Sequence, residues 1–387
     1  MLRTSLHLGL TSFGGPLAHL GYFERTYVRR LRWLSGEDYS ALVALCQVLP
    51  GPSSSQVGFL IGLHRAGWPG ALAAWLGFTL PSGLLLYGCA VLSAHAQGPI
   101  ALAVVHGLKL VVVVVVAQAL WSMARRLCPD RSTAAVALAA AALLLLFGGE
   151  RTQLAVLAAG AAAGILLCRH TSAVSAGPPM PVRRSVAWLA AALFALLLLV
   201  LPLLSALFPH GYVALAEVFY RAGALVFGGG HVVLPLLRDA LVPGGWISDD
   251  GFLAGYGLAQ AMPGPLFTVA AYLGAANAWT QAPALAAAVA VVFIFLPGLL
   301  IAVAGVALWG SLARHAPVRA AMAGVNAAVV GILAAALYDP VWITAIRDAA
   351  DVAIVGGALL LLMSGRLPPL AVVLLCAGSS VIRVLGA

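Results

Sequence analysis

Apolar segments separated by short polar loops follow one another along the whole chain. They cover approximately residues 71–94, 100–123, 134–147, 154–167 and 186–207. A helix needs about 20 apolar residues to cross the hydrocarbon core of a bilayer, which is about 30 Å thick. The pattern therefore predicts a series of transmembrane helices, and the polar stretch at residues 169–184 predicts a loop.

A further apolar segment, residues 41–63, is interrupted where a transmembrane helix is expected. Its centre reads Pro50-Gly51-Pro52. Because proline lacks a backbone N–H and disfavours helix at the preceding residue, a continuous helix is not expected here. Such a break is tolerated at membrane depth only where it is buried in protein or lines a polar cavity. The motif recurs as Pro263-Gly264-Pro265, and paired breaks of this kind point to the substrate site of a transporter.

The two proline motifs belong to a longer internal repeat. Four further segments of the first half return in the second half at a nearly constant spacing. The pairs are Phe13-Gly14-Gly15 and Phe227-Gly228-Gly229, Trp33 to Glu37 and Trp246 to Asp250, Leu80-Pro81-Ser82 and Leu296-Pro297-Gly298, and Gly107-Leu108-Lys109 and Gly324-Val325-Asn326. Self-similarity at a fixed period indicates duplication. We predict an N-terminal repeat at 1–170, a loop and linking transmembrane helix at 171–210, and a C-terminal repeat at 211–387.

Composition places this pattern among membrane proteins. Of the 387 residues, 63% are hydrophobic and 9% are charged. These values exclude an ordinary soluble domain and predict a polytopic membrane protein. The formal net charge is +9, but the basic residues lie in short loops between apolar segments. They therefore report orientation in the bilayer, and no nucleic-acid partner is predicted.

The broken segments allow two topologies, and the loop charges favour one of them. If each broken segment crosses the bilayer, the basic loop at residues 25–32 lies opposite the other arginine-rich loops, against the positive-inside tendency. If each is a re-entrant hairpin, the loop arginines of the first half fall on one side. These arginines are Arg25, Arg29, Arg30, Arg32, Arg65, Arg125, Arg126, Arg131, Arg169, Arg183 and Arg184.

The hairpin topology gives the predicted fold. It is an all-α polytopic membrane protein with two inverted repeats, each containing two re-entrant helical hairpins plus four transmembrane helices, joined by one linking transmembrane helix. An odd number of crossings separates the halves, so the second half is inverted. Its basic loops at residues 314–319 and at Arg366 then return to the arginine-rich side, which is predicted to be cytoplasmic.

The breaks supply the candidate substrate site. Helices that begin at mid-membrane carry unpaired N–H groups and a partial positive charge, which suits an anion. A tetrahedral oxyanion needs many such donors to leave water. The candidate residues are Phe13, Gly14, Gly15, Gln47, Pro50, Gly51, Pro52, Ser53, Ser54, Ser55, Phe227, Gly228, Gly229, Gly230, His231, Gln260, Pro263, Gly264 and Pro265. The alternative is that the breaks are kinks satisfied by neighbouring helices, and that the histidine and glutamines have packing roles.

Charged positions inside the apolar segments extend this hypothesis. Lys109 is the only lysine of the chain, and its repeat partner is the neutral Asn326. An intramembrane cation is a candidate site residue, and snorkelling toward the interface is the alternative for this lysine. Glu217 precedes Arg221 by one helical turn, and His7 is the repeat counterpart of that arginine. These three residues are a candidate coupling site that accepts a proton, with a solvated ion pair as the alternative.

Several enzyme classes lack their signatures in this chain. It has no G-x-x-x-x-G-K-[ST] phosphate loop, no H-E-x-x-H motif and no G-x-S-x-G motif. The five cysteines lie far apart, so no metal site is predicted, and no cofactor is expected either. We therefore do not predict an enzyme. An intramembrane enzyme that handles lipid phosphates at the hairpins stays an alternative, as does a passive anion channel.

The paired motifs also carry a family resemblance. With Phe13-Gly14-Gly15-Pro16, Pro50-Gly51-Pro52, Phe227-Gly228-Gly229-Gly230 and Pro263-Gly264-Pro265, the chain resembles the chromate ion transporter family in its long, two-domain form. The resemblance covers both halves. It implies oppositely oriented halves in a bacterial inner membrane, and export of chromate from the cytoplasm that lowers chromate toxicity. Sulfate is the isosteric alternative anion.

The predicted function is therefore a secondary transporter that exports a tetrahedral oxyanion by alternating access, coupled to an ion gradient. The expected partners are chromate or sulfate and the lipid bilayer, and a homodimer is left open. Uptake of sulfate or another oxyanion is the alternative direction. The run Ser53-Ser54-Ser55 corresponds to Leu266-Phe267-Thr268 in the second half, so we expect the site to be asymmetric.

Overall fold

The computed structural model describes residues 1–93, 98–168, 180–312, 315–365 and 367–386. These residues form helices and their connections, and no strand occurs among them. Six of the described helices are long and apolar enough to cross a membrane. The chain is thus an all-α, multi-pass membrane protein, as the hydrophobic pattern predicts.

The first half consists of two pairs of short helical arms followed by long helices. Its helices are α1 (Leu2–Thr11), α2 (Gly15–Phe23, continued by a π-helical segment at Glu24–Arg30), α3 (Gly36–Val48), α4 (Ser53–Ser93), α5 (Pro99–Leu127), α6 (Arg131–Phe147) and α7 (Gly149–Leu167). Helix α8 (Arg184–Leu207) then leads to the second half.

The second half repeats this order of short and long helices. Its helices are α9 (Tyr212–Leu225), α10 (Val233–Leu241), α11 (Asp249–Ala261), α12 (Val269–Ala275), α13 (Pro283–Leu312), α14 (Ala316–Ala336), α15 (Ile343–Ala345), α16 (Ala349–Met363) and α17 (Pro369–Leu385). One-turn 3₁₀ helices at Gly230–Val232 and Leu266–Thr268 precede α10 and α12. The shared order supports the predicted duplication, while the inversion of the second half stays a prediction.

Helix α4 consists of two segments joined at a sharp bend. The backbone of Ala66 and Gly67 is non-helical. Gly62 and Gly70, on either side of the bend, lie backbone against backbone, since a Cβ on Gly62 would be 2.3 Å from the Gly70 carbonyl oxygen. The two segments therefore double back on each other. The first segment is the returning arm of the second broken element, and the second segment is the first long helix.

The arms of the broken elements also fold back on each other. In the first element, the hydroxyl oxygens of Ser5 and Tyr27 are 3.2 Å apart, although the break lies between them. In the last element, Gly255 of α11 lies against the ring of Tyr272 of α12. These contacts support the hairpin topology, since a continuous crossing would separate the ends of each element.

The basic segment between the first two hairpins is close to the end of the second one. The guanidinium of Arg65 lies 5.5 Å from the centre of the Trp33 ring, and that ring stacks on Tyr27. The basic loop at residues 25–32 is therefore next to Arg65, as the hairpin topology requires. Which membrane face this is stays a prediction.

Serine caps begin the second hairpin of each half. The Ser35 hydroxyl accepts a hydrogen bond from the Asp38 N–H at 3.0 Å, and the Ser248 hydroxyl accepts one from the Gly251 N–H at 3.1 Å. A serine oxygen in this position satisfies one of the free donors of the first turn. Helices α3 and α11 therefore begin directly after these serines.

Helices α6 and α7 begin earlier than the apolar pattern predicts, at residues 131 and 149 instead of 134 and 154. For α6 the reason is a capping box, in which Asp130 accepts a hydrogen bond from the Thr133 N–H at 2.8 Å. The same hydrogen bond lowers the pKa of the Asp130 carboxyl below its ordinary value. Hydropathy alone does not report such caps, because the residues that form them are polar.

Each half packs one of its long helices against helices of the other half. Helix α5 packs against α16 and α17, while its repeat counterpart α14 packs against α6 and α7. Glycines bring these backbones together: a Cβ on Gly164 would lie 2.2 Å from the Ala320 carbonyl oxygen, and one on Gly107 would lie 2.5 Å from the Ala377 Cα. Small residues allow such close packing of helices in a bilayer, where the hydrophobic effect does not drive association. The halves are therefore interlocked.

Some predicted positions lie outside the described residues. They are Arg169 and most of the predicted loop at 169–184, together with Arg314 and Arg366. The division into repeats at 1–170 and 211–387 stays a prediction.

The interlocking predicts which glycines are sensitive. Replacing Gly164 by Val would force α7 away from α14, and we expect a loss of about 1–3 kcal/mol in unfolding free energy, as in other overpacked interiors. Gly356→Val on α16 is the matched control, because no atom lies within 4 Å of a Cβ at that position. Thermal unfolding in detergent measures both variants. Equal melting temperatures would contradict the close approach of α7 and α14.

Candidate functional site

Backbone hydrogen bonds connect the breaks of one half to the breaks of the other. The Gly51 N–H donates to the Val226 carbonyl at 2.8 Å, and the Gly264 N–H donates to the Ser12 carbonyl at 2.9 Å. Each Pro-Gly-Pro break is thus bonded to the residue that precedes the Phe-Gly-Gly break of the opposite half. The two bonds join repeat-equivalent positions, so the four breaks form one reciprocal unit at the centre of the protein.

Each Pro-Gly-Pro glycine is also pressed against a proline-containing helix of the opposite half. A Cβ on Gly51 would lie 2.7 Å from the Gly298 Cα, and one on Gly264 would lie 2.8 Å from the Ser82 Oγ. Both glycines have positive φ angles, of 109° and 100° respectively. Glycine is therefore required at both positions, by backbone conformation and by space.

A glutamine satisfies the carbonyl groups that the first Pro-Gly-Pro break leaves free. The Gln56 side-chain amide donates to the Pro50 carbonyl at 2.7 Å and to the Gly298 carbonyl at 2.9 Å. Pro50 lies between α3 and α4, where its carbonyl has no helical N–H partner, and a buried side chain replaces that donor. Neighbouring protein groups therefore satisfy part of this break, as the kink alternative requires. The other side of the break borders the cavity described next.

A cavity of about 510 Å³ lies where three of the breaks meet. The start of α2, the start of α4 and the segment before α10 all reach it. Of the candidate residues, those that line the cavity are Gly14, Gly15, Gln47, Gly51, Ser53, Gly228, Gly229, Gly230, His231 and Asn326. The three breaks thus bring together, in one cavity, residues of the two halves that are more than 200 positions apart in the sequence. We call it the central cavity.

Helix starts give the central cavity an electropositive character. Helix α2 begins at Gly15, α4 at Ser53, and the turn before α10 at Gly230. Among the described side chains, none caps the start of α2 or of the Gly230 turn. The first N–H groups of such starts have no partner within the helix and carry a partial positive charge. The arrangement can therefore bind an anion without a metal.

An arginine that the sequence analysis assigned only to a basic loop lines the same cavity. Arg126 is in the last turn of α5, and its Nη2 donates to the Gly228 carbonyl at 3.0 Å. Gln118 and Ser122 of α5 line the cavity with it. The three residues are spaced four apart, so they form a polar stripe on one face of an apolar helix. This spacing is the signal by which the sequence could have identified them.

A smaller cavity of about 50 Å³ adjoins the central cavity and shares Gly14, Gly15, Gln118 and His231 with it. We call it the annex. Gln260 and Gly264, from the second Pro-Gly-Pro element, line the annex but not the central cavity. The two breaks therefore border cavities of very different size, and the candidate site is asymmetric, as expected from Ser53 and its counterpart Leu266.

His231 stands between the central cavity and the annex. Its Nδ1 is 3.0 Å from the Tyr256 hydroxyl on α11. The ring therefore connects the third hairpin to the fourth. Its position on both cavities is consistent with a ligand role, and its contact with the tyrosine is consistent with a structural one, so both roles predicted for it remain open.

Several buried polar atoms around the breaks have no hydrogen-bond partner among the described residues. They are Ser12 Oγ, Ser55 Oγ, Gln260 Nε2 and Asn326 Oδ1. More than nine in ten buried polar groups in proteins are hydrogen-bonded to protein or ordered water. Unpartnered atoms of this kind are consistent with a hydrated or ligand-binding region at the breaks.

Other candidate residues form the breaks without lining either cavity: Phe13, Pro50, Pro52, Ser54, Ser55, Phe227, Pro263 and Pro265. Four more candidate residues do not line the central cavity. Lys109 is buried in an ion pair with Asp250, and His7 is on the exposed face of α1. A third group, Glu217 and Arg221, is joined by an ion pair with Glu150 of α7.

Comparisons with known proteins agree with this arrangement of paired breaks. The family model for the chromate transporter matches residues 1–165 and 213–381. The chain belongs to the chromate transporter family. Comparison with solved structures gave no match.

Curated relatives cover most of this chromate transporter family member. A "Chromate transport protein" of Pseudomonas aeruginosa is 27% identical over 88% of this chain and 80% of its own length. A protein of the same name from Cupriavidus metallidurans is 27% identical over 86% of this chain and 80% of its own. A "Probable chromate transport protein" of Synechococcus elongatus is 26% identical over 86% of this chain and 81% of its own.

The close contact at Gly51 gives a testable prediction. Gly51→Ala introduces both an unfavourable φ angle and a clash with Gly298, so we expect it to destabilise the protein by about 1–3 kcal/mol more than the φ angle alone does. Gly67→Ala is the matched control, because its φ is also positive but no atom lies within 4 Å of the added Cβ. Melting temperatures of the two purified variants measure this difference in stability. A Gly67→Ala variant as unstable as Gly51→Ala would contradict the crowding argument.

Proposed function

We propose that this protein is a secondary transporter that exports chromate across the bacterial inner membrane by alternating access, with the arginine-rich loops in the cytoplasm. The observation that carries the proposal is the convergence of three helix starts and Arg126 on the central cavity. Relatives named as chromate transport proteins support chromate as the substrate. Export would lower chromate toxicity, and sulfate is the related anion that the same cavity would accommodate.

The energetic requirement for such a site is severe. Moving a dianion out of water without compensating donors costs on the order of tens of kcal/mol. Backbone N–H groups at the starts of α2, α4 and the Gly230 turn are fixed in position, so they need no reorganisation to receive the anion. Arg126 adds a full positive charge and a planar set of donors that suits an oxyanion. The cavity therefore meets the chemical needs of a tetrahedral oxyanion better than those of a cation.

The asymmetry of the two cavities supports alternating access. The central cavity borders the Pro-Gly-Pro break of the first half, and the annex borders that of the second half. In an inverted repeat, exchanging the conformations of the halves would enlarge the annex and close the central cavity. The reciprocal hydrogen bonds at Gly51 and Gly264 hold the breaks together during that exchange. A coupling role for Glu217, Arg221 and His7 remains part of this proposal.

Two neighbouring arginines provide a matched test of the anion site. Arg126 lines the central cavity, whereas Arg125 lies over the Trp121 ring, 5.5 Å from its centre. In proteoliposomes we expect Arg126→Gln to lower labelled chromate flux by at least about tenfold, since one charge-assisted hydrogen bond is worth about 1.5–3 kcal/mol. Arg125→Gln should change the flux by less than about twofold, because the residue contributes only an exposed cation–π contact.

Competition experiments in the same proteoliposomes test which anions the protein transports. Unlabelled sulfate added in excess should compete with chromate flux in the wild-type protein, whereas chloride should not. Equal flux in the Arg126→Gln and Arg125→Gln proteins would place the anion path elsewhere. Absence of flux in the wild-type protein, together with turnover of a lipid phosphate, would favour an intramembrane enzyme instead.

A further inference from the structure

A second polar cavity shares no lining residue with the central cavity. Its volume is about 110 Å³, and it is enclosed by the α6–α7 junction, α10 and the end of α14. Its lining includes Gly148 just after α6, whereas the central cavity is lined by Leu127 shortly before α6. These two positions are separated by the 17 residues of α6, about 25 Å at 1.5 Å per residue. At the start of α10 the cavities come closer, since His231 lines one and Pro235 lines the other. We call the second one the acidic cavity.

Acidic side chains outnumber basic ones in this cavity. Asp239 and Asp339 line it together with Arg238. The Arg238 Nε is 2.9 Å from an oxygen of Asp249, whereas its Nη1 is 3.7 Å from an oxygen of Asp239. The arginine is thus bonded mainly to Asp249. The charge of the two aspartates that line the cavity is left largely uncompensated.

The neighbouring charged groups do not supply the missing positive charge. On α7, α9 and α11, which pack against α10, these groups are Glu150 and Arg151, Glu217 and Arg221, and Asp249 and Asp250, and Asp339 follows α14. Arg221 is already held between Glu150 and Glu217, and Asp250 is paired with Lys109. With Arg238, Asp239 and Lys109 included, six carboxylates, three guanidinium groups and one ammonium group leave a formal charge of −2. A partly buried excess of this kind is stabilised by taking up protons or cations.

A buried glutamine provides an independent indication of a ligand. Gln153 is 3% exposed, and its side-chain amide nitrogen donates to Asp239. Its Oε1 has no hydrogen-bond partner among the described residues, and the residue lines the acidic cavity. A buried carbonyl oxygen without a donor costs free energy. Beside two carboxylates, such an oxygen is a suitable ligand for a hard monovalent cation or for a protonated acid.

The internal repeat places the acidic cavity at a position equivalent to the anion site. Helix α5 lines the central cavity with Gln118, Ser122 and Met123, and the repeat-equivalent positions Ala335, Asp339 and Pro340 line the acidic cavity. Equivalent helix faces thus border both cavities, but with opposite charge: Arg126 at one cavity, and Asp339 at the other. Duplication followed by divergence explains two cavities for ions of opposite sign.

We propose that the acidic cavity binds the cation whose gradient drives anion transport, a proton or a monovalent metal cation held between Asp239, Asp339 and the Gln153 Oε1. This inference rests on the proposed transport function. Helix α14 connects the two sites, since Asn326 lines the central cavity and Asp339 follows the helix at the acidic cavity. Cation binding at the C-terminal end of this helix is therefore in a position to alter the anion site at its middle.

The test compares two kinds of chromate movement in proteoliposomes that contain the full chain. One is accumulation driven by an imposed pH or Na⁺ gradient, and the other is exchange of labelled for unlabelled chromate without any gradient. We expect Asp239→Asn and Asp339→Asn to lower gradient-driven accumulation by at least about tenfold while exchange stays within about twofold, because the amide resembles the protonated acid and cannot release a proton. Glu37→Gln, at an exposed acid outside the cavity, is the control.

The outcomes separate the inference from the transport function. A pH gradient that drives accumulation identifies the proton, and a Na⁺ gradient that does so identifies the metal cation. Unchanged gradient-driven accumulation in both variants overturns the inference, as does wild-type flux that is independent of both gradients, which would indicate a passive channel. Absence of any chromate movement in the wild-type protein would instead refute the transport function. If Asp239→Asn does not fold, the Asp339→Asn variant, at an exposed position, still tests the inference.

Discussion

Two buried backbone hydrogen bonds between the halves hold the centre of this chromate transporter family member together. The Gly51 N–H binds the Val226 carbonyl, and the Gly264 N–H binds the Ser12 carbonyl. Inside a bilayer, a broken helix is tolerated only when its free polar groups find partners in protein or in a water-filled cavity. Each half supplies those partners for the other. The breaks of either half are therefore incomplete alone, which explains why the motifs occur in pairs.

The same constraint leaves the polar groups needed for function. Glycines at the breaks allow the contacts at Gly298 and Ser82, so the groups on that side are satisfied by protein. Residues at the starts of α2 and α4, on the other side, line the central cavity. Broken helices thus leave N–H donors at their starts that an unbroken helix would use internally. Helices α5 and α14, each packed against helices of the opposite half, connect the breaks to the outer helices.

The sequence was sufficient for the helices, the breaks and ten of the 22 residues that line the central cavity, because proline, glycine and hydropathy act locally. It did not reveal the reciprocal bonds between breaks, because pairing of Gly51 with Val226 depends on tertiary packing. Arg126 was assigned to a basic loop because positive residues at helix ends usually report orientation. Lys109 attracted attention as an intramembrane charge, yet the structure pairs it with Asp250. The sequence does not show this pairing, because Asp250 lies 141 positions from Lys109 in the chain.

The most direct test of the account is the position of the anion itself. Chromium scatters anomalously, so crystals of the protein grown with chromate would locate the metal atom without interpretation of the surrounding density. The account predicts a chromium peak in the central cavity, within hydrogen-bonding reach of the helix starts at Gly15, Ser53 and Gly230 and of the Arg126 guanidinium. A peak confined to the surface, with the breaks facing lipid and their N–H groups bonded within the protein, would contradict it.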